Sequence, residues 1–124
     1  ELSNFMQQVK NTDANWIGFS LTMPLKEEIF LVADKVDSLA AQIKSANTLI
    51  PTNDGWLATS TDVAGFIWAL AQHEVSKFKR VQIIGAGGTA RAAAAAIDAP
   101  GVQIEVINRS PEREADMRNA VALG

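Results

Sequence analysis

The sequence predicts an α/β fold in two parts, and three observations support this. The chain has 124 residues, of which 48% are hydrophobic, enough to form a packed core. Residues 81–107 read as strand, glycine turn, helix and strand with short connections, the pattern of a parallel sheet. Residues 1–62 mix short helices with short apolar runs. We therefore expect part of a small α/β domain over 1–62, followed over 63–124 by the first half of a parallel-sheet domain.

Periodicity and turn residues define the elements of the first part. Leu2, Phe5, Met6 and Val9 recur at helical spacing, which predicts a helix over 2–10. Pro24 is of a type favoured in a first helical turn, so a helix is expected from Thr22 to about Ala33. The other predicted elements are a strand over 16–21, a helix over 38–45, and strands over 46–50 and 56–60 joined by a turn in which Asp54-Gly55 supplies a positive φ.

The second part shows clearer patterns. Val63, Phe66, Ile67 and Leu70 predict a helix over 62–74, which links the two parts and is counted with the second. The elements that follow are a strand over 81–84, a glycine turn over 85–88, a helix over 89–97, a strand over 102–107 and a helix from Pro111 to the end of the chain.

Composition excludes several classes of function. The chain has no Cys and a single His, His73, so disulfides, thiolate sites and multi-histidine metal centres are excluded. The net charge of −3 argues against nucleic acid as a partner. No apolar run reaches ~18 residues, so no membrane span is expected. The chain begins with Glu1 and runs to its end in a predicted helix, from which we expect a piece of a longer protein.

Residues 85–90, Gly85-Ala86-Gly87-Gly88-Thr89-Ala90, fit the pattern G-x-G-x-x-G/A between a strand and a helix. Gly85 permits a sharp turn, Gly87 lets backbone N–H groups approach a pyrophosphate, and Ala90 allows close packing of the helix on the sheet. The phosphates would lie at the positive end of the helix dipole. The alternative is a structural turn with no ligand.

The tip of the second strand indicates which dinucleotide would bind. Where an NAD site places a carboxylate, this chain has Asn108, Arg109, Ser110 and, beyond them, Arg113. Guanidinium groups bind a 2′-phosphate by charge-assisted hydrogen bonds, so the sequence predicts NADP rather than NAD. The alternative leaves both arginines solvated, with Ser110 as an N-cap before Pro111.

Four further polar residues allow either a functional or a structural interpretation. Lys26 lies in the first turn of its predicted helix, where a cation opposes the dipole, or it is simply exposed. Asp62 and Thr22 could be N-caps, and Asn47 a satisfied core amide.

Taken in order, these motifs resemble the shikimate dehydrogenase family from about residue 16 to residue 113. The motifs are Ser20-Leu21-Thr22-Met23-Pro24-Leu25-Lys26, Ser45-Ala46-Asn47-Thr48, Ser60-Thr61-Asp62, the glycine turn, and Asn108-Arg109-Ser110. The resemblance implies a substrate domain followed by an NADP-binding Rossmann domain. It also implies the reversible, NADP-dependent reduction of 3-dehydroshikimate to shikimate, in aromatic amino acid biosynthesis and in the cytoplasm.

The resemblance also assigns roles to residues. Lys26 would be the catalytic lysine and Asp62 the aspartate paired with it, while Thr22 and Asn47 would bind substrate hydroxyls. Residues 85–90 would hold the pyrophosphate. The 2′-phosphate would lie against Asn108, Arg109, Ser110 and Arg113.

The chain departs from the family pattern at Ser20, Leu21, Ala58 and Ser60, which keeps a quinate or aminoshikimate dehydrogenase, or a non-catalytic relative, as alternatives. It contains neither the family's Ser-x-Ser segment nor its later Rossmann strands or C-terminal Gln. A two-stranded parallel sheet buries little surface by itself. We therefore expect the isolated chain to be inactive, and its exposed sheet edge to be covered by self-association.

Overall fold

Two β-sheets organise the protein, one in each half of the sequence. The computed structural model describes residues 1–121, so the predicted helical end at Ala122–Gly124 lies outside the described residues. The first sheet has four strands in the order β1, β3, β4, β2, and the second has two parallel strands, β5 and β6. The predicted α/β fold class is confirmed.

The N-terminal unit (residues 1–61) is built around the hairpin of β3 (Thr48–Thr52) and β4 (Gly55–Thr59). Strand β1 (Phe19–Ser20) pairs antiparallel with β3, and β2 (Lys35–Val36) pairs parallel with β4. Its helices are α1 (Leu2–Lys10), α2 (Leu25–Glu28), which continues as a 3₁₀ turn over Ile29–Leu31, and α3 (Ser38–Ile43). Ile29, Leu49 and Trp56 are central to its core.

The C-terminal unit (residues 80–121) matches the predicted strand–turn–helix–strand run within one or two residues. Its elements are β5 (Arg80–Ile84), α5 (Gly88–Ile97), β6 (Gln103–Ile107), a 3₁₀ turn (Pro111–Arg113) and α6 (Glu114–Ala120). Helix α4 (Asp62–Gln72) connects the two units.

A small hydrophobic cluster joins the two units. Ile43 of α3, Val63 of α4, Ala92 of α5 and Ala120 of α6 are all buried together. Three of these four side chains are Ala or Val, and such short side chains let helices approach closely. The N-terminus of α5 is thereby brought against the end of α3 and the start of α4.

Two predictions for the N-terminal unit are wrong in extent. The strand predicted over 16–21 is limited to Phe19–Ser20, because Ile17 is 90% exposed and pairs with no strand. The aromatic residues of this segment contribute through ring contacts instead of strand pairing. The Phe19 ring makes tilted contacts with the rings of Trp16 and Trp56. The helix predicted from Thr22 to about Ala33 begins later than expected, because Pro24 is its N-cap rather than a residue of its first turn. It has four α-helical residues and then continues as the 3₁₀ turn of Ile29–Leu31.

Three further differences concern strands. Asn47 lies just before β3 rather than on a strand. The hairpin turn has fewer residues than predicted, because Pro51 and Thr52 belong to β3. Gly55 has the predicted positive φ, at 110°. Strand β2 was not predicted, since it is two residues long and exposed and forms only by pairing with β4.

Candidate active site at the junction of the two units

Lys26 and Asp62, 36 residues apart in sequence, form an ion pair at the junction of the two units. Lys26 Nζ donates to Asp62 Oδ2 at 2.7 Å, and the two side chains are only 17% and 20% exposed. The structure therefore does not support a solvated Lys26. Nor is Asp62 an N-cap: Thr61 holds that position in α4, which has no side-chain cap, and Asp62 is the first helical residue.

The environment of Lys26 also differs from the sequence expectation. Helix α2 has four residues, too few for a substantial dipole, so the opposing field expected at its first turn is weak. The ammonium is compensated by the Asp62 carboxylate and points toward the glycine turn, since Lys26 Nζ lies 3.4 Å from Thr89 Oγ1. An amine in this position can exchange a proton with a group bound between the two units.

Asn47 holds Asp62 in place. Its Nδ2 donates to Asp62 Oδ1 at 3.0 Å and to Thr61 Oγ1 at 2.8 Å. Its Oδ1 accepts from the Thr61 backbone N–H at 3.0 Å and from Thr48 Oγ1 at 2.8 Å. Both Asp62 oxygens are thus occupied, one by Lys26 and the other by Asn47. The hydrogen-bonding groups of the Asn47 amide are therefore all satisfied, as the structural interpretation expected. Their partners, however, belong to the candidate site and not to the protein core.

Thr22 lies at the start of the turn that leads to Lys26. Its backbone carbonyl accepts from the Leu25 N–H at 2.8 Å, and its side chain is exposed. It does not cap α2, because Pro24 occupies that position. The Thr22 hydroxyl remains available to a ligand.

The glycine turn has the geometry needed by a pyrophosphate. Gly85 has φ +118°, in the region that favours glycine, and its N–H donates to Ile107 O at 2.8 Å. A Cβ on Gly85 or Gly87 would meet no atom within 4 Å, so this side of the turn is open. Gly87 caps α5 without any side chain covering the first N–H groups. The residues present fit a bound dinucleotide phosphate.

Gly88 has a different environment from Gly85 and Gly87. A Cβ there would overlap Ser45 Oγ of the N-terminal unit. The Ser45 hydroxyl is buried and has no hydrogen-bond partner within residues 1–121. Gly88 thus makes a close approach of its own, which joins the two units. The close packing of helix on sheet at Ala90 stays a prediction.

The residues after β6 divide into two groups. Asn108 shapes the turn, since its Oδ1 accepts from the Ser110 N–H at 2.9 Å and its Nδ2 donates to Ser110 O at 2.6 Å. Ser110 is the N-cap of the 3₁₀ turn but makes no side-chain cap bond. Arg109 is exposed, as its alternative interpretation expected. Arg113 is not simply solvated, because its Nη1 donates to Glu27 Oε1 at 2.8 Å.

Sequence reasoning missed a buried residue that contributes four hydrogen bonds at this junction. Arg91 is fully buried, and its guanidinium donates to Ile43 O (2.6 Å), Lys44 O (2.9 Å), Ala86 O (2.9 Å) and Glu27 Oε1 (2.8 Å). The sequence held one signal that could have identified Arg91, because it is a single arginine among the alanines of α5. Burial acts to raise the pKa of Glu27, but hydrogen bonds from Arg91 and Arg113 outweigh it and hold that pKa below its usual value.

Two kinds of feature are absent from the part of the chain that the structure describes. Over positions 1–121, the described part of the chain holds no cluster of three or more His, Cys, Asp or Glu side chains suited to a metal ion. None of the helices described there is long and apolar enough to cross a bilayer.

The fold and the junction together define a class. A parallel sheet with an open glycine turn is packed on a second α/β unit that presents a Lys–Asp pair to the turn, and the parallel-sheet unit has the pattern of a dinucleotide-binding fold. Residues 1–49 match the family model described as the shikimate dehydrogenase substrate binding domain. The chain is thus related to the shikimate dehydrogenase family, by the family model over residues 1–49 and by relatives that match over most of its length.

Individual relatives agree with this assignment. The chain is 38% identical over 117 residues to "Shikimate dehydrogenase (NADP(+))" of Sinorhizobium medicae, a match covering 92% of this chain and 41% of that protein. It superposes with a TM-score of 0.79 and 30% identity on Thermus thermophilus shikimate 5-dehydrogenase in complex with NADP(H) and shikimate, covering 97% of this chain and 46% of that one. A quinate dehydrogenase from Corynebacterium glutamicum in complex with NAD gives a TM-score of 0.80 at 26% identity, covering 97% and 44%. The chain spans about two fifths of the length of the curated relatives it matches.

Proposed function

We propose that the polypeptide carrying this sequence reduces 3-dehydroshikimate reversibly to shikimate with NADP. The observation that carries the proposal is the Lys26–Asp62 pair, held at 2.7 Å beside the glycine turn. The relationship to the family supplies the substrate class and the cofactor. The domain division follows the same proposal, with substrate binding over 1–62 and cofactor binding over 63–124.

The residues of the junction have distinct roles in this proposal. Lys26 donates a proton to the oxygen that develops negative charge as the ketone is reduced, and in the reverse direction it takes that proton back. Asp62 orients the amine through its hydrogen bond from Lys26 Nζ, and the Asn47 amide fixes Asp62. Thr22 and Asn47 bind substrate hydroxyls. For this, the Asn47 amide replaces its hydrogen bond to Thr61 Oγ1 by one to the substrate.

The cofactor would be held by the C-terminal unit. Gly85, Ala86, Gly87, Gly88, Thr89 and Ala90 form the pyrophosphate turn. Arg109 and Arg113 contribute charge for the 2′-phosphate, on a loop shaped by Asn108 and Ser110. Bound in this place, reduced nicotinamide supplies the hydride, while the protein positions the substrate and moves the proton.

Replacing Lys26 by Ala tests the activity. General acid–base groups contribute about 10²–10⁴-fold, so turnover of shikimate with NADP should fall by that factor while NADP binding is retained. The assay uses the complete polypeptide that carries the sequence. Wild-type turnover in the Lys26→Ala variant would contradict the proposed role. Absence of turnover in the wild type would favour the non-catalytic alternative.

A second variant, Arg109→Ala, tests the choice of cofactor. It should weaken NADP and leave NAD unchanged, because only NADP carries the 2′-phosphate. Equal losses for both cofactors would show that Arg109 does not contact that group.

Quinate is the second candidate substrate. The C. glutamicum quinate dehydrogenase shares the fold, and Ser60, one of the departures from the family motif, lies beside the site, with its Oγ accepting from the Asp62 N–H at 3.4 Å. Comparing kcat/KM for quinate and shikimate decides between them. Aminoshikimate is tested in the same assay.

Three further expectations belong to this proposal. The 124 residues alone should be inactive, since they span about two fifths of the curated relatives and the described C-terminal unit has only two strands in its parallel sheet. Self-association covering the exposed sheet edge, on which Ile84 is 80% exposed, stays a prediction. The same holds for a cytoplasmic location.

A further inference from the structure

One carboxylate of the N-terminal unit lies between two guanidinium groups of the C-terminal unit. Glu27, the residue after Lys26, accepts at the same oxygen, Oε1, from Arg91 Nη2 and from Arg113 Nη1, both at 2.8 Å. The proton-transfer machinery proposed above uses neither Glu27 nor Arg91. Glu27 nevertheless links the helix that carries Lys26 to a residue proposed to bind the cofactor.

Arg91 and Arg113 differ in what they can offer a ligand. Arg91 is fully buried, and its remaining contacts are backbone carbonyls, so it cannot reach an incoming group. Arg113 is 39% exposed at its side chain and donates to Glu27 from only one of its five N–H groups. Arg113 is therefore the member of the trio that a ligand can still contact.

The charge of the trio leaves Arg113 attractive to an anion. One carboxylate faces two permanently charged guanidiniums, so these three side chains together are positively charged. The carboxylates of Glu112 and Asp116 also act on Arg113, and Asp116 is itself paired with Lys44. The buried Arg91 already neutralises Glu27. The carboxylate can thus orient Arg113 without cancelling its charge.

Arg113 is also held at its backbone. Its N–H donates to Ser110 O at 3.0 Å in the 3₁₀ turn directly after β6, and Asn108 fixes that turn. With both ends held, the side chain has little rotamer freedom left to lose when a ligand binds. Ordering a long side chain is one of the main costs of association, and pre-ordering removes it.

We propose that Glu27 is a positioning residue for cofactor selectivity, anchoring Arg113 from the opposite unit so that the guanidinium is ready for the 2′-phosphate of NADP. This inference rests on the proposed function. It adds that the choice between NADP and NAD depends on a residue outside the nucleotide-binding unit.

The test measures binding of two probes by calorimetry on the complete polypeptide. One probe is 2′,5′-ADP, which carries the 2′-phosphate, and the other is 5′-AMP, which does not. The ratio of their affinities isolates the 2′-phosphate contact. Wild type, Glu27→Gln, Arg113→Ala and the double variant are compared, with Glu28→Gln as the matched control, because it removes a carboxylate of α2 that makes neither arginine contact.

Glu27→Gln should lower the preference for 2′,5′-ADP about 3- to 10-fold, the equivalent of immobilising one long side chain, and leave 5′-AMP unchanged. Arg113→Ala should lower the preference further, and adding Glu27→Gln to it should change nothing more. A purely structural role for Glu27 would weaken both probes equally and would overturn the inference. An unchanged preference for 2′,5′-ADP would also overturn the inference. An increased preference would overturn it as well, because it would show that Glu27 competes with the 2′-phosphate for Arg113.

Failure of the proposed function would look different. If the wild type shows no preference for 2′,5′-ADP, or Arg113→Ala leaves the preference intact, the 2′-phosphate site itself is wrong. If Arg113→Ala lowers the preference and Glu27→Gln does not, only the inference about Glu27 is wrong. Should Glu27→Gln not fold, Glu27→Asp serves instead: its shortened carboxylate should lower the preference by a smaller factor, and no reduction would contradict the proposal.

Discussion

Lys26 and Glu27 are neighbours on a four-residue helix, yet they serve the junction in different ways. Lys26 pairs with Asp62 at 2.7 Å, in a contact that stays partly open to solvent. Glu27 pairs at 2.8 Å with the buried Arg91, whose other donors bind carbonyls of both units. The first pair has groups that can exchange protons, and the second fixes how the two units meet. Neighbouring residues of one short helix thus make different kinds of contact at the same junction.

The largest expected effect on stability comes from breaking the Arg91 contacts. Arg91→Ala leaves the carbonyls of Ile43, Lys44 and Ala86 without their donor, and each buried unsatisfied group costs about 1–3 kcal/mol. We expect a loss of about 3–5 kcal/mol in the free energy of unfolding, measured by urea denaturation.

Arg118→Ala is the control for this prediction. Arg118 is 77% exposed and pairs with Glu114 within α6, so its removal should cost less than about 0.5 kcal/mol. Equal losses for the two variants would mean that the Arg91 network does not hold the junction.

A smaller effect is expected from Gly88, where the two units approach each other closely. In Gly88→Ala the new Cβ would overlap the Ser45 hydroxyl, and overpacking of this kind costs about 1–3 kcal/mol. Gly65→Ala is the matched control, since Gly65 lies within α4 with open space around it and should gain about 0.5–1 kcal/mol of helix stability. Thermal unfolding measures both. Stabilisation by Gly88→Ala would show that the units are not in tight contact at this point.

The smallest effect concerns acid stability. The arginine contacts outweigh burial and lower the pKa of Glu27 below its ordinary 4.5, so the folded chain keeps this carboxylate ionised where the unfolded chain protonates it. The resulting stabilisation is present above pH 4.5 and is lost as the pH falls through the folded-state pKa. The stability difference between wild type and Glu27→Gln should therefore shrink on acidification.

Chemical denaturation over a series of pH values from about 6 down to about 3 measures that difference. Glu28→Gln, which keeps both arginine contacts, is the control. If the stability difference between wild type and Glu27→Gln grew on acidification, the result would contradict the claim that the folded protein stabilises the charged form of Glu27.

The two units also differ in how far the sequence predicts them. The run from β5 to β6 follows from local signals, because hydrophobic runs, glycines and a helix-breaking Pro100 lie next to each other in the chain. In the N-terminal unit, β1 and β2 are two residues each and exist only through pairing with distant strands. Their formation depends on tertiary contacts that no local pattern encodes.

The same limit applies to the candidate site. Lys26, Asp62 and the glycine turn were found from residue types, local context and the order of their motifs along the chain. Arg91 and Glu27 were missed because, apart from Ala86, their partners lie 47 to 86 residues away. In addition, Arg91 lies in a helix whose other residues already explain its packing. The burial of a guanidinium depends on the carbonyl groups that surround it in the folded protein, and the sequence does not show which carbonyl groups these are.

The most direct measurement of the central claim is a double-mutant cycle on Lys26→Ala and Asp62→Asn, with kcat/KM for shikimate and NADP determined for all four proteins. If the ammonium and the carboxylate act as one unit, the double variant should be no slower than Lys26→Ala alone. Losses that multiply, or a Lys26→Ala protein that turns over shikimate at the wild-type rate, would contradict that claim.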